Sequence, residues 1–154
     1  MTALTPALAV DYVRELSADV RAVVVLDAHG GLLAGPPELE ARARALLEAG
    51  GGAGELEAGG PAGVVCAVRS ESHAAVAICG RFAIGGVVRN DLRTALAALA
   101  GRSPAAADVP FAGRSTDAQG RSPAAAGARA GPTDPALMRA AEALISAVQR
   151  EFGG

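Results

Sequence analysis

Arg21-Ala22-Val23-Val24-Val25-Leu26-Asp27-Ala28-His29-Gly30-Gly31-Leu32-Leu33-Ala34 decides the fold class of this 154-residue chain. The β-branched run Val23 to Val25 predicts a strand over Arg21 to Leu26, and Leu32 to Ala34 predicts a second. Asp27 to Gly31 between them supplies turn chemistry, so the stretch reads as a β-hairpin.

Upstream, Leu8, Tyr12, Val13 and Leu16 recur at helical spacing, with Asp11, Arg14 and Glu15 on the other side, and Thr5-Pro6 is a helix start; the spacing predicts a helix from about Pro6 to Ala18. Downstream, Pro36-Pro37 ends the second strand and opens a helix whose stripe is Leu39, Ala43, Leu46 and Leu47, and Gly50-Gly51-Gly52 stops it. Glu55 to Ala58 is a short strand candidate between glycines. Val64 to Ser70 and Ala74 to Gly80 form a second hairpin across Glu71-Ser72-His73. Ile84, Val88, Leu92, Ala95, Leu96 and Leu99 then share a helical face ending near Ala100, although Gly85-Gly86 weaken its first turn.

Residues 101–132 differ in kind: 22 of the 32 are Ala, Gly, Pro or Ser, and Gly-Arg-Ser-Pro-Ala-Ala-Ala occurs at both 101 and 120. Such composition predicts a disordered linker. Thr133-Asp134-Pro135 then caps an amphipathic helix over 133–154 carrying Leu137, Ala141, Leu144, Ile145, Val148 and Phe152 on one face. That helix is expected to dock on a protein surface, and a partner's surface is favoured over its own domain because a core complete at Ala100 requires no further helix. The partner-binding residues are then Leu137, Leu144, Ile145, Val148 and Phe152.

All 14 basic residues are Arg, which removes the P-loop lysine, Schiff-base chemistry and lysine general bases. With 16 acids, a net charge of -2, no Trp and one Tyr, the chain offers neither a phosphate-binding excess nor a platform for stacking bases, so no nucleic-acid partner is expected. Met1 to Val10 lacks a basic n-region and no apolar run approaches about 20 residues, so a cytoplasmic protein without membrane insertion is expected.

The order helix, hairpin, helix, further strands, helix is carried by Glu15-Leu16, by Val23 to Ala34 with its Asp27-x-x-Gly30 turn, by the Leu39 to Leu47 helix, by Gly63 to Arg69 and Ala77 to Gly80, and by Asp91 to Leu96. Over roughly residues 5–100 the chain resembles the roadblock / dynein light-chain family, particularly its bacterial members. The resemblance implies an α/β (α+β) fold of profilin-like roadblock layout: a five-stranded antiparallel sheet between helices, one on one face and two on the other. It also implies dimerisation through the middle helix and the adjacent edge strand. The interface would be Leu39, Arg42, Ala43, Leu46 and Leu47, with a second copy or a related roadblock protein as partner. Family members act as platforms or regulators for Ras-like small GTPases, or as adaptors on motors and signalling complexes.

No serine sits in a Gly-x-Ser-x-Gly elbow. His29 and His73 fall in turns, where histidines are commonly solvated, and Asp27 is placed to accept hydrogen bonds from turn amides. Cys66 and Cys79 lie on strands expected to pair: a turn at Ser72-His73 would align them, one at Glu71-Ser72 would not. Ser103 and Ser122, each between Arg and Pro, fit a phosphorylation pattern, which low complexity explains more simply. The sequence therefore reads as a non-enzymatic protein-binding module without cofactor or metal, a dimeric scaffold or regulator of a small Ras-like GTPase. The alternative is a profilin-like sensor or adaptor that self-associates and holds a small ligand or a signalling kinase.

Overall fold

The computed structural model describes residues 4–101 and 135–152 of the chain. Helix α1 (Pro6–Leu16) leads into strands β1 (Val20–Asp27) and β2 (Leu32–Ala34); a 3-10 turn at Pro37–Leu39 opens α2 (Glu40–Ala49); then follow β3 (Glu55–Gly60), β4 (Gly63–Arg69), β5 (His73–Cys79), α3 (Gly85–Leu99) and α4 (Pro135–Phe152). Of the linker expected over 101–132, residues 102–132, with Ser103 and Ser122, lie outside the described residues, as does the cap at Thr133-Asp134.

The strands form one antiparallel five-stranded sheet in the order β2-β1-β5-β4-β3. Its central strands bury side chains on both faces, which is why they read as unbroken apolar runs rather than as alternation. Ala22, Val24, Leu26, Val65, Ala67, Val76 and Ile78 face one side; Val23, Val25, Cys66, Val68, Ala75, Ala77 and Cys79 face the other. On the second face pack α1 and α3, through Ala9, Val13, Val88, Leu92, Ala95 and Leu96. On the first pack α2 and α4.

Up to residue 101 one helix, α2, lies on one face and two, α1 and α3, on the other; α4 adds a second helix beside α2. A five-stranded sheet is about 20 Å wide at roughly 4.8 Å per strand, whereas a helix covers about 10–12 Å. Before residue 101 only α2 lies on the first face, and one ten-residue helix leaves half of it bare. Helix α4 fills that half, contacting α2, β3, β4 and β5, with Leu137, Leu144, Ile145 and Val148 buried in the shared core. This corrects the expectation of partner capture: the core is not complete at Ala100. The side chain of Phe152 lies outside the described residues.

Local chemistry matches the start of α1. Thr5 caps α1, its Oγ1 accepting from the Leu8 amide at 3.2 Å, with Pro6 at the first helical position. The helix stops at Leu16, two residues before the expected Ala18, because Ser17 is already extended and leads into β1. Gly35 follows β2 at φ +114, and a Cβ there would stand 2.4 Å from the Val23 carbonyl oxygen, so only glycine fits this crossing.

Replacing Leu144 by Ala should destabilise the protein by about 2–5 kcal/mol in urea unfolding, the cost of a cavity at a fully buried site. Hydrogen exchange on the wild type should show strong protection from Leu144 to Val148. A change within about 0.5 kcal/mol together with fast exchange would mean that α4 does not cover the sheet.

Candidate functional site

Residues singled out in the sequence converge at one end of the sheet. The β1–β2 turn is closed by Asp27 N–H to the Gly31 carbonyl (2.8 Å) and Gly30 N–H to the Asp27 carbonyl (3.1 Å). The Asp27 carboxylate accepts from the amides of His29 (2.8 Å) and Gly31 (2.9 Å). The Gly31 and His29 amides, in that order, hold this carboxyl below the usual aspartate range. Asp27 is also the cross-strand partner of His73, so both histidine-bearing turns sit at the same sheet end.

Between these turns and α2 lies an open cleft of about 310 Å³, lined by Asp27, His29, Arg44, Glu48, Arg69 and His73 among others. Its polar groups hold one another. Arg44 pairs with Glu40 at 2.8 Å and donates from Nε to the Gly30 carbonyl; Arg69 donates to the Leu47 carbonyl at 3.0 Å. Ser72 Oγ lies 2.9 Å from His73 Nδ1. The cleft is thus lined with charges of both signs.

The second hairpin turns at Glu71-Ser72, with the Ser70 amide donating to the His73 carbonyl at 2.8 Å. Cys66 consequently opposes Ala77, and Cys79 stands two residues further on, diagonal to Cys66 on the same face. Both thiols are buried, and neither forms a disulfide. The neighbouring Cys66 and burial push the Cys79 thiol far up, so it stays protonated.

The expected dimer interface is not available as a surface. Leu39, Ala43, Leu46 and Leu47 are all buried in the core shared by α2, the sheet and α4, and Arg42 is half-buried, donating to the Glu38 carbonyl at 3.3 Å. The stripe is wide because it meets two neighbours of its own fold. A charge at Leu46 would unfold the chain rather than separate two copies.

The exposed apolar surface lies elsewhere. On α1 the residues packed against the sheet are Ala9 and Val13, while Leu8 (53%), Tyr12 (38%) and Leu16 (50%) stay exposed. The predicted core stripe is thus rotated: the small Ala9 brings α1 close to the sheet, and the long side chains are left outward. Phe82 (74%), Ile84 (70%) and Val87 (51%) are exposed at the start of α3, where Ile84 caps the helix instead of joining its buried face. Ile84 and Val87 lie on the flank of α3 opposite Arg89 and Arg93. Helices α1 and α3 pack against each other, and the chain just after α1 meets the chain just before α3, where the Gly80 amide donates to the Asp19 carbonyl at 2.8 Å. Among the described residues seven large apolar side chains are exposed: six belong to α1 or the α3 start, and the seventh is Leu33.

The opposite flank of α3 carries a feature that no sequence pattern announced. Arg89 is buried and pairs with Glu57 and, at 3.2 Å from its Nε, with Glu55; Arg93 pairs with Glu55. Glu55 and Glu57 alternate with buried Leu56 and Ala58 on β3, so the edge strand is apolar toward α4 and ionic toward α3. A side chain at Gly85 would meet the Glu57 carboxylate and push it from its place beside Arg89. The partners stand more than 30 residues apart in sequence, beyond any local pattern.

No protein-family model matches this chain, and no curated protein matches it. Among the described residues no group of three or more His, Cys, Asp or Glu is placed to hold a metal ion, and no helix is long and apolar enough to cross a membrane.

The Asp27 turn makes a pH-dependent contribution of defined sign. A carboxyl held below its ordinary value of 3.8 stabilises the fold above that pH, and the contribution disappears as pH falls through the lower folded value. The stability gap between wild type and Asp27→Ala should be constant from about pH 7 to 5 and shrink below about pH 4. A gap that widens on acidification in parallel urea titrations would show that Asp27 acts otherwise.

Proposed function

We propose that this chain is a non-enzymatic protein-binding module, a self-associating scaffold or regulator of a small Ras-like GTPase. The observation that carries the reading is the exposed face of Leu8, Tyr12, Leu16, Phe82, Ile84 and Val87, because contiguous apolar surface on a water-soluble fold marks a protein contact. The resemblance of residues 5–100 to the roadblock family supports the GTPase as partner. The sheet order and the helix–hairpin–helix start are compatible with that layout. A dimer of this kind would act by ordering a partner's switch loops, a task for which packing surface matters more than catalytic side chains.

The cleft at the turn end of the sheet favours one second reading, a profilin-like sensor. Its 310 Å³ and its charged lining suit a small polar ligand better than an apolar one.

Affinity purification with the full chain from its own cell, in parallel with GDP and with a non-hydrolysable GTP analogue, separates the two. Retention of a Ras-like GTPase at least about tenfold better in one nucleotide state is the expected result. Absence of any GTPase in both states removes the regulator reading. GTP hydrolysis by the purified chain alone, persisting through repeated chromatography, would overturn the non-enzymatic assignment.

A further inference from the structure

Helix α1 and the start of α3 form one apolar face, and α2, the expected contact, is already covered by the chain's own α4. We infer that this α1/α3 face is the self-association surface, and that its occupant is a second copy of the chain, the α1 stripe of each copy packing on the α3 start of the other. The inference rests on the self-association part of the proposed function and supplies its location.

Three observations single out a second copy. The first is area: side chains of these sizes, 38–74% exposed, present on the order of 600 Å² per copy, close to the roughly 800 Å² per partner of a standard interface. The second is composition. The face comprises two separate apolar elements, three residues on α1 and three at the α3 start, and a two-fold axis between them lets each cover the other in both copies at once. A Tyr and a Phe are among the six, the residue types enriched in interface cores.

The third is charge. Asp11 and Glu15 border the α1 stripe, and the Arg81 guanidinium lies 4.8 Å from the centroid of the Phe82 ring at the α3 start. All three are exposed, and in an α1-on-α3 arrangement the acidic rim of one copy meets the basic residue of the other. The opposite flank of α3 does not compete, since Arg89 and Arg93 there are engaged by Glu55 and Glu57.

Sedimentation equilibrium of the full-length protein up to about 100 µM tests this with substitutions at exposed positions, where folding is checked by circular dichroism. The wild type should be a dimer, and Leu16→Glu and Val87→Glu should each weaken it by at least about 100-fold, because either introduces a charge into the apolar contact. Glu15→Arg should weaken it by about tenfold, and adding Arg81→Glu should restore that loss by re-forming the pair in reverse. A wild-type monomer at the highest concentration overturns both the inference and self-association itself. A dimer that persists in both Leu16→Glu and Val87→Glu leaves self-association standing and removes this surface from it. Failure of Arg81→Glu to restore Glu15→Arg overturns the α1-on-α3 pairing.

Discussion

A five-stranded sheet with apolar side chains on both faces requires about two helices per face, and the rest of this molecule follows from that requirement. On the α1/α3 side it is met locally, by the helices that flank the sheet in sequence. On the α2 side it is met only when α4 returns from beyond residue 134 to lie beside α2. Leu137, Leu144 and Val148 then complete a core with Leu39, Leu46, Leu56 and Ile78. Two consequences reach into function. The α2 stripe becomes interior, and the exposed large apolar side chains of the described residues lie mainly on the outer side of α1 and the start of α3.

The two sides of α3 illustrate how charge and apolarity divide the work on one helix. Toward β3 the helix meets the edge strand with Arg89 and Arg93, which satisfy Glu55 and Glu57 where an apolar contact would otherwise lie. A buried guanidinium contributes little net stability when paired, but it is costly to leave unpaired, so it specifies the position of β3 relative to α3. At its start the same helix leaves Ile84 and Val87 bare. The polar end of the sheet has a parallel logic: Asp27 satisfies two turn amides, Glu40 and Arg44 tie α2 to the same turn, and a charged cleft remains between them.

Much of the backbone was legible in the chain itself. Val23-Val24-Val25-Leu26 with Asp27 to Gly31 predicts the first hairpin, Pro36-Pro37 and the triple glycine bracket α2, and even the glycine-flanked Glu55 to Ala58 is a strand, extended to Gly60 by pairing with β4. Asp27 as an acceptor of turn amides was legible too, because an aspartate before glycines acts within four residues of itself. The cysteine register was not, since turns at Glu71-Ser72 and at Ser72-His73 satisfy the same local preferences.

By itself, then, the sequence determined which segments form helices and strands, because periodicity and turn residues act over a few positions. It determined equally that these segments would carry apolar faces. Only the tertiary structure decided which faces meet. Apolar stripes are interchangeable over distance: Leu39-Ala43-Leu46-Leu47 and Leu8-Tyr12-Val13-Leu16 both read as apolar helix faces to be covered, and sheet width together with helix order selected the first as core. The choice left Leu8, Tyr12 and Leu16 of the second exposed, since Ala9 and Val13 already hold α1 against the sheet. Likewise, α4 carries the same amphipathic face whether it is bound at home or elsewhere, and the uncovered half of its own sheet is what placed it.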